Sequence, residues 1–351
     1  MEKKKMPRWA KIVLIVIAAI LALLMILAGA AAIYMDALLG KINYRTTHPS
    51  LTPEEASSVA QENWETIPSD DTTPMADDVT EPTAPTATDP VEEDPDMSHI
   101  VNILLIGQDR RPGEGTQRSD SMILVTFNKS TGNITLTSIM RDQNVHIPGH
   151  GSDKLNHAYQ YGGMPLLDQT LYDHFGIVVD GNVEVDFSGF QQVIDLLGGV
   201  DVTLTEAEAE YLRNGCKMDV QAGLNHLDGA GALNYARLRE IDSDYRRASR
   251  QRNVLIAVFE KYKSKDLATM LSLMDQILPL LTTDLSKDQI VGLALEVFPM
   301  LAGAQIDTLR IPADGTFQSG YVQVSPTYRT WYQYNIDFEA NRKLLEEIFA
   351  P

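Results

Sequence analysis

Cysteine is almost absent from this sequence. Cys216 is the only cysteine in 351 residues, so no disulfide bond can form within the chain. We interpret it as a small, partly buried apolar residue rather than a nucleophile. The histidines lack metal-ligand spacing, and the sequence has no Walker loop, serine nucleophile elbow or zinc-binding pattern. These absences exclude the common motifs of nucleoside triphosphatases, serine hydrolases and zinc proteins.

Basic residues are also scarce. The chain has 29 Lys and Arg against 48 Asp and Glu, a formal net charge of −19, which argues against nucleic acid as a partner. The charge is uneven, because residues 48–98 contain 14 carboxylates and no Lys or Arg. Since this one segment supplies most of the net charge, an anion-binding site elsewhere is still compatible with the sequence. Such a site would depend on local clustering of arginine.

The N-terminus joins a basic flank to an apolar run. Residues 1–11 are rich in lysine, and Ile12–Met35 then runs for 24 residues without a charge. At about 1.5 Å per residue, a helix of this length crosses a hydrocarbon core of roughly 30 Å. A cleaved signal peptide is the alternative, but its apolar region would be shorter, roughly 7–15 residues. We therefore predict a cytoplasmic tail at 1–11 and an uncleaved transmembrane helix at 12–35, with the rest of the chain outside the membrane.

A stalk and a globular domain are predicted to follow. Thr, Pro, Ala, Asp and Glu dominate the segment before Ile100 and bury too little apolar surface to fold, so 36–98 is expected to be a disordered acidic stalk. Residues 99–351 alternate strand and helix patterns, which predicts an α/β domain with three layers, α-β-α, around a central mixed sheet. Two of its helices are predicted at Lys154–Tyr161 and Met164–Phe175.

Three short apolar runs open this domain, at Ile103–Ile106, Met122–Phe127 and Ile134–Ile139. They are rich in Ile, Val, Leu and Thr and are bounded by Gly, Asn or Pro, which predicts buried strands. Ligand sites commonly form at strand ends in sheets that helices cover. The ends of these three strands are therefore where we look for functional residues.

Charged residues of both signs lie at these strand ends. Asp109 follows the first strand and Asp120 precedes the second, so both carboxylates emerge at one edge if the strands are antiparallel neighbours. Arg118 shares the face of Asp120 because strand side chains alternate. Arg141 and Asp142 follow the third strand. Two carboxylates with a substrate phosphate suit Mg²⁺, although two aspartates that merely flank a turn are the simpler interpretation.

Further arginines cluster later in the chain. Arg237 and Arg239 are two residues apart in a stretch that we expect to be extended, so they project to one side. Arg247, Arg250 and Gln251 fall at i, i+3 and i+4 on one face of a predicted helix. A solvated helix face is the simplest interpretation of this group. The guanidinium fork, however, suits a bidentate grip on phosphate oxygens, and repeated arginines favour a diphosphate ligand.

Taken together, these residues resemble the LytR–CpsA–Psr family of bacterial cell-envelope proteins. The resemblance covers residues 100–263. It rests on NILLIGQDRR, QRSDSMILVTFN, SIMRD, DKLNHAY, GLNHL, ALNYARLR and DSDYRRASRQR, in that order. It implies a membrane-anchored phosphotransferase that moves a glycopolymer, such as teichoic acid or capsule, from a polyprenyl pyrophosphate carrier to peptidoglycan. A lipid-pyrophosphate hydrolase and a non-catalytic envelope regulator are the alternatives.

The resemblance also implies roles for individual residues. Asp109 and Asp120 match aspartates that bind Mg²⁺, with Mn²⁺ as an alternative ion. The residues that match pyrophosphate-binding positions are Arg118, Arg141, Lys154, Arg237, Arg239, Arg247 and Gln251. The expected catalytic set is Asp109, Arg118, Asp120, Arg141 and Asp142. Either Asp142 or one of the metal-linked aspartates is expected to activate the acceptor hydroxyl.

Overall fold

A computed structural model of the chain describes residues 36–45, 97–108, 118–263, 265, 267–325 and 328–351. The predicted cytoplasmic tail, the predicted transmembrane helix, most of the predicted stalk and Asp109 lie outside these residues. Residues 36–45, which were predicted to be disordered stalk, are instead ordered, because Leu38 and Leu39 are buried. Within the described residues, no helix is both long and apolar enough to cross a membrane.

The described residues contain thirteen strands and eight α-helices of more than one turn. The strands are β1 (Asn43–Tyr44), β2 (Ile100–Gln108), β3 (Ser119–Asn128), β4 (Asn133–Ile139), β5 (Asn144–Ile147), β6 (Gly151–Lys154), β7 (Gly181–Asp186), β8 (Val200–Leu204), β9 (Gly223–Leu227), β10 (Thr282–Thr283), β11 (Ile306–Ile311), β12 (Gln318–Ser325) and β13 (Tyr328–Tyr334). The helices are α1 (Leu155–Phe175), α2 (Phe187–Leu196), α3 (Glu206–Asn214), α4 (Gly229–Arg237), α5 (Asp244–Tyr262), α6 (Leu267–Ile277), α7 (Lys287–Val297) and α8 (Phe338–Phe349).

Two compact units make up the described chain. The first, which we call the strand unit, comprises 97–180 and 303–351, and the second, the helix unit, comprises 36–45 and 181–302. In the strand unit, β2, β3 and β4 are antiparallel neighbours and β11 lies parallel to β4. The predicted α/β class and mixed sheet are therefore confirmed. The three-layer arrangement stays a prediction.

One apolar core holds the strand unit together. Leu104 and Ile106 of β2 pack with Leu167 and Leu171 of α1, and all four side chains are almost completely buried. Burial of each such side chain contributes about 1.5–3 kcal/mol. Helix α1 therefore docks on the sheet, and its first five residues are the LNHAY part of the DKLNHAY motif.

The two helices predicted at Lys154–Tyr161 and Met164–Phe175 are confirmed as two helical segments on either side of a kink, and we number them together as α1. The interruption is at Gly163, whose φ of 67° and ψ of −152° lie outside the helical region. A left-handed φ of this kind favours glycine, and Pro165, two residues later, has no N–H to donate to the turn before it. The apolar spacing continues across the kink, so both halves bury one face.

The helix unit has its own core, and local capping residues set its helix boundaries. Asp186 accepts a hydrogen bond from the Gly189 amide at 2.7 Å at the start of α2. Thr205 and Glu208 form a reciprocal capping box at the start of α3. One expectation is corrected here. Arg237 belongs to the last turn of α4, and the backbone becomes extended only at Leu238.

Candidate functional site

Four charged side chains meet where β3 begins and β4 ends. The antiparallel register of these strands places Asp120 beside the chain that leaves β4. Arg141 Nη1 contacts Asp120 Oδ1, and Arg141 Nε lies 3.6 Å from Asp142 Oδ2. Lys154 Nζ then donates to Asp142 Oδ1 at 2.7 Å. The result is a chain of alternating charges that we call the edge cluster, Asp120–Arg141–Asp142–Lys154.

The edge cluster is open at one end. The Asp120 side chain is 34% exposed, whereas those of Arg141, Asp142 and Lys154 are 16%, 16% and 13% exposed. Ionic attraction is stronger where water is largely excluded. An anionic ligand that reaches the cluster from the Asp120 side therefore meets a partly desolvated guanidinium group.

The predicted geometry around Asp109 and Arg118 is resolved in part. Strands β2 and β3 are antiparallel neighbours, and Gln108 pairs with Ser119, the residue before Asp120. Asp109 itself lies outside the described residues, so its proximity to Asp120 stays a prediction. Arg118 Nε donates to Gln160 Oε1 of α1 at 3.3 Å.

The residues around the Lys154 side chain include two that the sequence analysis did not identify. Its ammonium donates to Thr330 Oγ1 at 3.0 Å and lies 5.2 Å from the ring centre of Tyr332. These two residues are separated from Lys154 by 176 residues or more. Their spacing of two on a strand was the one available signal of a shared face, and it did not point to Lys154.

Asp153 anchors the residues around Lys154. Its carboxylate accepts hydrogen bonds from the Lys154 amide at 2.7 Å, the Tyr161 hydroxyl at 2.7 Å and the Tyr332 hydroxyl at 3.1 Å. The Nδ1 atom of His157 lies 2.5 Å from the same carboxylate. Burial raises the pKa of Asp153, but the contacts from His157 and Tyr161 outweigh burial and hold this pKa well below its ordinary value. One indication of this group is present in the sequence, since His157 and Tyr161 are four residues apart and therefore lie on one face of α1.

We expect Asp153→Asn to destabilise the protein by about 1.5–3 kcal/mol, because hydrogen bonds to a charged group are lost. The folded-state pKa of Asp153 is depressed, so its stabilising effect is complete above the ordinary value of 3.8 and is lost as the pH falls below it. Urea unfolding of both proteins at several pH values tests this. The difference should be constant near neutral pH and shrink in acid, and a difference that grows in acid would contradict it. Asp173→Asn, an exposed site on the same helix, is the control.

The helix unit carries a second group of predicted ligands. Asp244 bridges two of them, since its carboxylate lies 3.3 Å from Arg239 Nη2 and 2.9 Å from Arg247 Nη2. The Arg237 guanidinium lies 4.4 Å from the centre of the Phe187 ring. Gln251 is half-buried one turn after Arg247. Asp244 fixes the positions of two arginines, a role that its spacing of three from Arg247 suggested only weakly.

The interpretation of Arg246–Arg252 as a solvated helix face is wrong. Arg247, Arg250 and Arg252 are 8%, 3% and 9% exposed. Arg250 is also not a candidate ligand, because its guanidinium is fully engaged inside the unit. It contacts Glu208 at 2.6 Å, the Leu238 carbonyl at 2.9 Å and both carboxylate oxygens of Asp242.

Fold and site together define an α/β protein with clustered arginines suited to a phosphorylated ligand. The chain belongs to the LytR_cpsA_psr family, whose model matches residues 70–335. It is 33% identical over 270 residues to the polyisoprenyl-teichoic acid–peptidoglycan teichoic acid transferase TagT of Bacillus subtilis (strain 168), with 75% of this chain and 73% of that protein covered.

Solved structures of TagT share the fold. The crystal structure of B. subtilis TagT has a TM-score of 0.57 and 29% identity, and the match covers 75% of this chain and 96% of that one. A structure of the family protein YwtF (TagT) with bound octaprenyl pyrophosphate lipid has a TM-score of 0.55 and 28% identity, with 75% and 95% covered.

Proposed function

We propose that this chain is a phosphotransferase that moves a glycopolymer, of the teichoic acid or capsule type, from a polyprenyl pyrophosphate carrier to peptidoglycan. Family membership and the similarity to TagT support this proposal. The observation that carries it is the edge cluster, in which Arg141 is held between two carboxylates where β3 begins and β4 ends. Such an arginine is ready to exchange a carboxylate partner for a phosphate oxygen.

The reaction follows from the chemistry of a pyrophosphate. A hydroxyl oxygen of peptidoglycan forms a bond to the phosphorus that carries the glycan, and the bond from this phosphorus to the bridging oxygen breaks. The electron pair stays on the lipid phosphate, which leaves, and the hydroxyl proton passes to a base. Because charge accumulates on phosphate oxygens, positioned guanidinium groups lower the barrier. The proposed donors are Arg118, Arg141 and Lys154 of the strand unit, and Arg237, Arg239, Arg247 and Gln251 of the helix unit.

Asp142 is best assigned to positioning. Its two oxygens face Lys154 and Arg141, so its lone pairs are largely directed at cations. A carboxylate in this setting holds both cations in place. Of the three aspartates considered as the base, Asp109 and Asp120 are therefore the ones that we propose.

A divalent ion fits the open end of the cluster. Within the described residues, no three Asp, Glu, His or Cys side chains form a metal-binding group. Mg²⁺ needs fewer, since it typically binds one or two carboxylates with waters and substrate phosphates. Asp120, one-third exposed, meets that requirement, with Asp109 as the proposed second ligand. When bound, Mg²⁺ or Mn²⁺ would neutralise phosphate charge.

Removal of divalent ions should therefore abolish transfer. We expect EDTA to stop the reaction, Mg²⁺ or Mn²⁺ to restore it, and Asp120→Asn to need at least about tenfold more Mg²⁺ for half-maximal rate. Asp314→Asn, a 90% exposed carboxylate paired with Arg310, is the control and should leave the Mg²⁺ requirement unchanged. Full activity in EDTA would contradict the metal proposal.

The decisive experiment follows the products by mass. The full-length protein in detergent is mixed with a polyprenyl-pyrophosphate oligosaccharide, Mg²⁺ and peptidoglycan fragments. A covalent glycan–phosphate–peptidoglycan product establishes the transferase. Release of phosphorylated glycan without that product would indicate the hydrolase, and lipid binding with neither product would indicate a regulator.

We also propose that the protein is anchored in the cell membrane with its N-terminus in the cytoplasm and the described residues outside. The support is the basic flank at 1–11 followed by the uncharged run at 12–35. Labelling of single cysteines in a Cys216→Ser background with an impermeant maleimide on whole cells tests this orientation.

A further inference from the structure

The hairpin β12–β13 has two faces with different surroundings. Its register pairs Tyr321 with Trp331 and Val322 with Thr330. Because strand side chains alternate, Thr330 and Tyr332 share one face, and Trp331 lies on the other. The first face contacts the candidate site directly, since Thr330 accepts from Lys154 and Tyr332 donates to Asp153.

The second face, which we call the aromatic face, consists of Tyr321, Trp331, Arg329 and Gln323. Tyr321 and Trp331 are 64% and 40% exposed. Their ring centres are 5.3 Å apart with an interplanar angle of 83°, an edge-to-face pair. The Arg329 guanidinium lies 5.3 Å from the centre of the Tyr321 ring. Large exposed aromatic groups of this kind mark interaction sites more often than single exposed side chains do.

The composition of the aromatic face suits a carbohydrate. A pyranose ring presents C–H groups on its flat side and hydroxyl groups around its rim. Tyr and Trp rings present a negative face to the C–H groups and a polar group for hydrogen bonding. Arg329 and Gln323, both exposed, supply donors for the rim. A few polar groups around aromatic rings are the usual construction of a ligand site.

We propose that the aromatic face binds the peptidoglycan acceptor, as a strand of β-linked N-acetylated pyranoses. This inference rests on the proposed function. Its place on the hairpin supports it, because Trp331 lies on the same strand as Thr330 and Tyr332, which contact Lys154 and Asp153, and the aromatic face is therefore the opposite side of the strand that borders the candidate site. Charge complementarity supports it as well. Stem peptides of peptidoglycan carry carboxylates, and in a chain of net charge −19 the exposed Arg329 provides a local cation for them.

The acceptor is favoured over the donor polymer as the ligand of the aromatic face, because the edge cluster and the aromatic face differ in chemistry. The donor is held through its pyrophosphate, for which the edge cluster supplies cations. The aromatic face offers rings and a single guanidinium, a poor match for the donor's pyrophosphate. An acceptor that spans the hairpin would be aligned by residues that the donor does not use.

Matched substitutions test the proposal. In full-length protein in detergent, binding of chitotetraose and of uncross-linked peptidoglycan fragments is measured by calorimetry. Trp331→Val and Tyr321→Val keep a β-branched apolar residue in each strand but remove the flat ring. Each should weaken glycan binding about tenfold, as expected for loss of one aromatic contact. Trp331→Phe should stay within about threefold, and Tyr172→Val, an exposed tyrosine on α1, should have no effect.

Turnover distinguishes the acceptor from the donor. The two valine variants should raise the KM for peptidoglycan fragments and leave kcat and the affinity for the lipid donor unchanged. Equal glycan affinity in wild type and both valine variants would overturn the proposal, as would an increase in the KM of the donor alone. If wild-type protein binds chitotetraose through Trp331 but transfers nothing, the proposed function fails and the glycan site stands.

Discussion

Arg141→Ala is expected to lower the kcat of transfer by about 10²–10³-fold, the usual effect of removing one positioned donor to a developing oxyanion. The structural reason is that Arg141 contacts both Asp120 and Asp142. Without it, two carboxylates face the incoming pyrophosphate with only Lys154 beside them. The loss of a favourable charge is therefore combined with repulsion of the substrate. Single-turnover kinetics with labelled lipid donor would separate the chemical step from binding.

Two comparisons make this result interpretable. Lys343→Ala removes an exposed cation that pairs with Glu339 on α8 of the same unit, and it should change the rate less than twofold. Arg141→Lys keeps the charge but not the bidentate fork, so it should recover only part of the rate. Wild-type turnover in Arg141→Ala protein that is folded, as judged by its circular dichroism and melting temperature, would remove Arg141 from the site.

Arg250→Ala should produce the largest loss of stability, about 3–5 kcal/mol, because it leaves a buried charge without its partner. Arg250 is 3% exposed, and its Nε lies 2.6 Å from Glu208 Oε1. It also contacts Asp242 and the Leu238 carbonyl, on either side of Arg239. Loss of activity should accompany the loss of stability, since the segment that carries Arg239 is no longer tied to α5. Urea denaturation followed by circular dichroism measures the effect.

The pH dependence of this effect has a defined sign. Burial raises the pKa of Glu208, but the Thr205 amide and the Arg250 guanidinium outweigh burial and hold this pKa below its ordinary value. Its stabilising contribution is therefore present at neutral pH and lost as the pH falls through the folded-state pKa. The stability gap between wild type and Arg250→Ala should narrow below the ordinary value of 4.5. Arg246→Ala, exposed on the same helix, should change stability by less than about 0.5 kcal/mol. A similar loss in both variants would contradict the buried-pair account.

Structural features that depend on residues close together in the chain could be predicted from the sequence. The three strands were predicted correctly in place and type, because buried strands need short runs of β-branched residues between turn residues. The caps of α2 and α3 are equally local, since a capping side chain bonds amides two or three residues away. The contact of Asp120 with Arg141 depends on the antiparallel pairing of β3 with β4, which was not predicted.

Errors arose where burial was decided by distant residues. The arginines of α5 look like a solvated face in sequence, yet Arg250 is enclosed because Glu208 of α3 and Asp242 provide partners. These contacts join Arg250 to residues outside its own helix, and the periodicity of a single helix gives no information about them.

The sequence by itself determined the class of fold, the family and the identity of the charged residues at the strand ends, because these depend on local periodicity and on motifs in order. Only the tertiary structure decided how those residues are used. It paired Asp142 with Lys154, placed Thr330 and Tyr332 around that lysine, and left Tyr321 and Trp331 exposed on the opposite face of the same hairpin. The physical reason is that ionic and aromatic contacts depend on distances of a few ångströms between residues far apart in the chain, and these distances exist only in the folded protein.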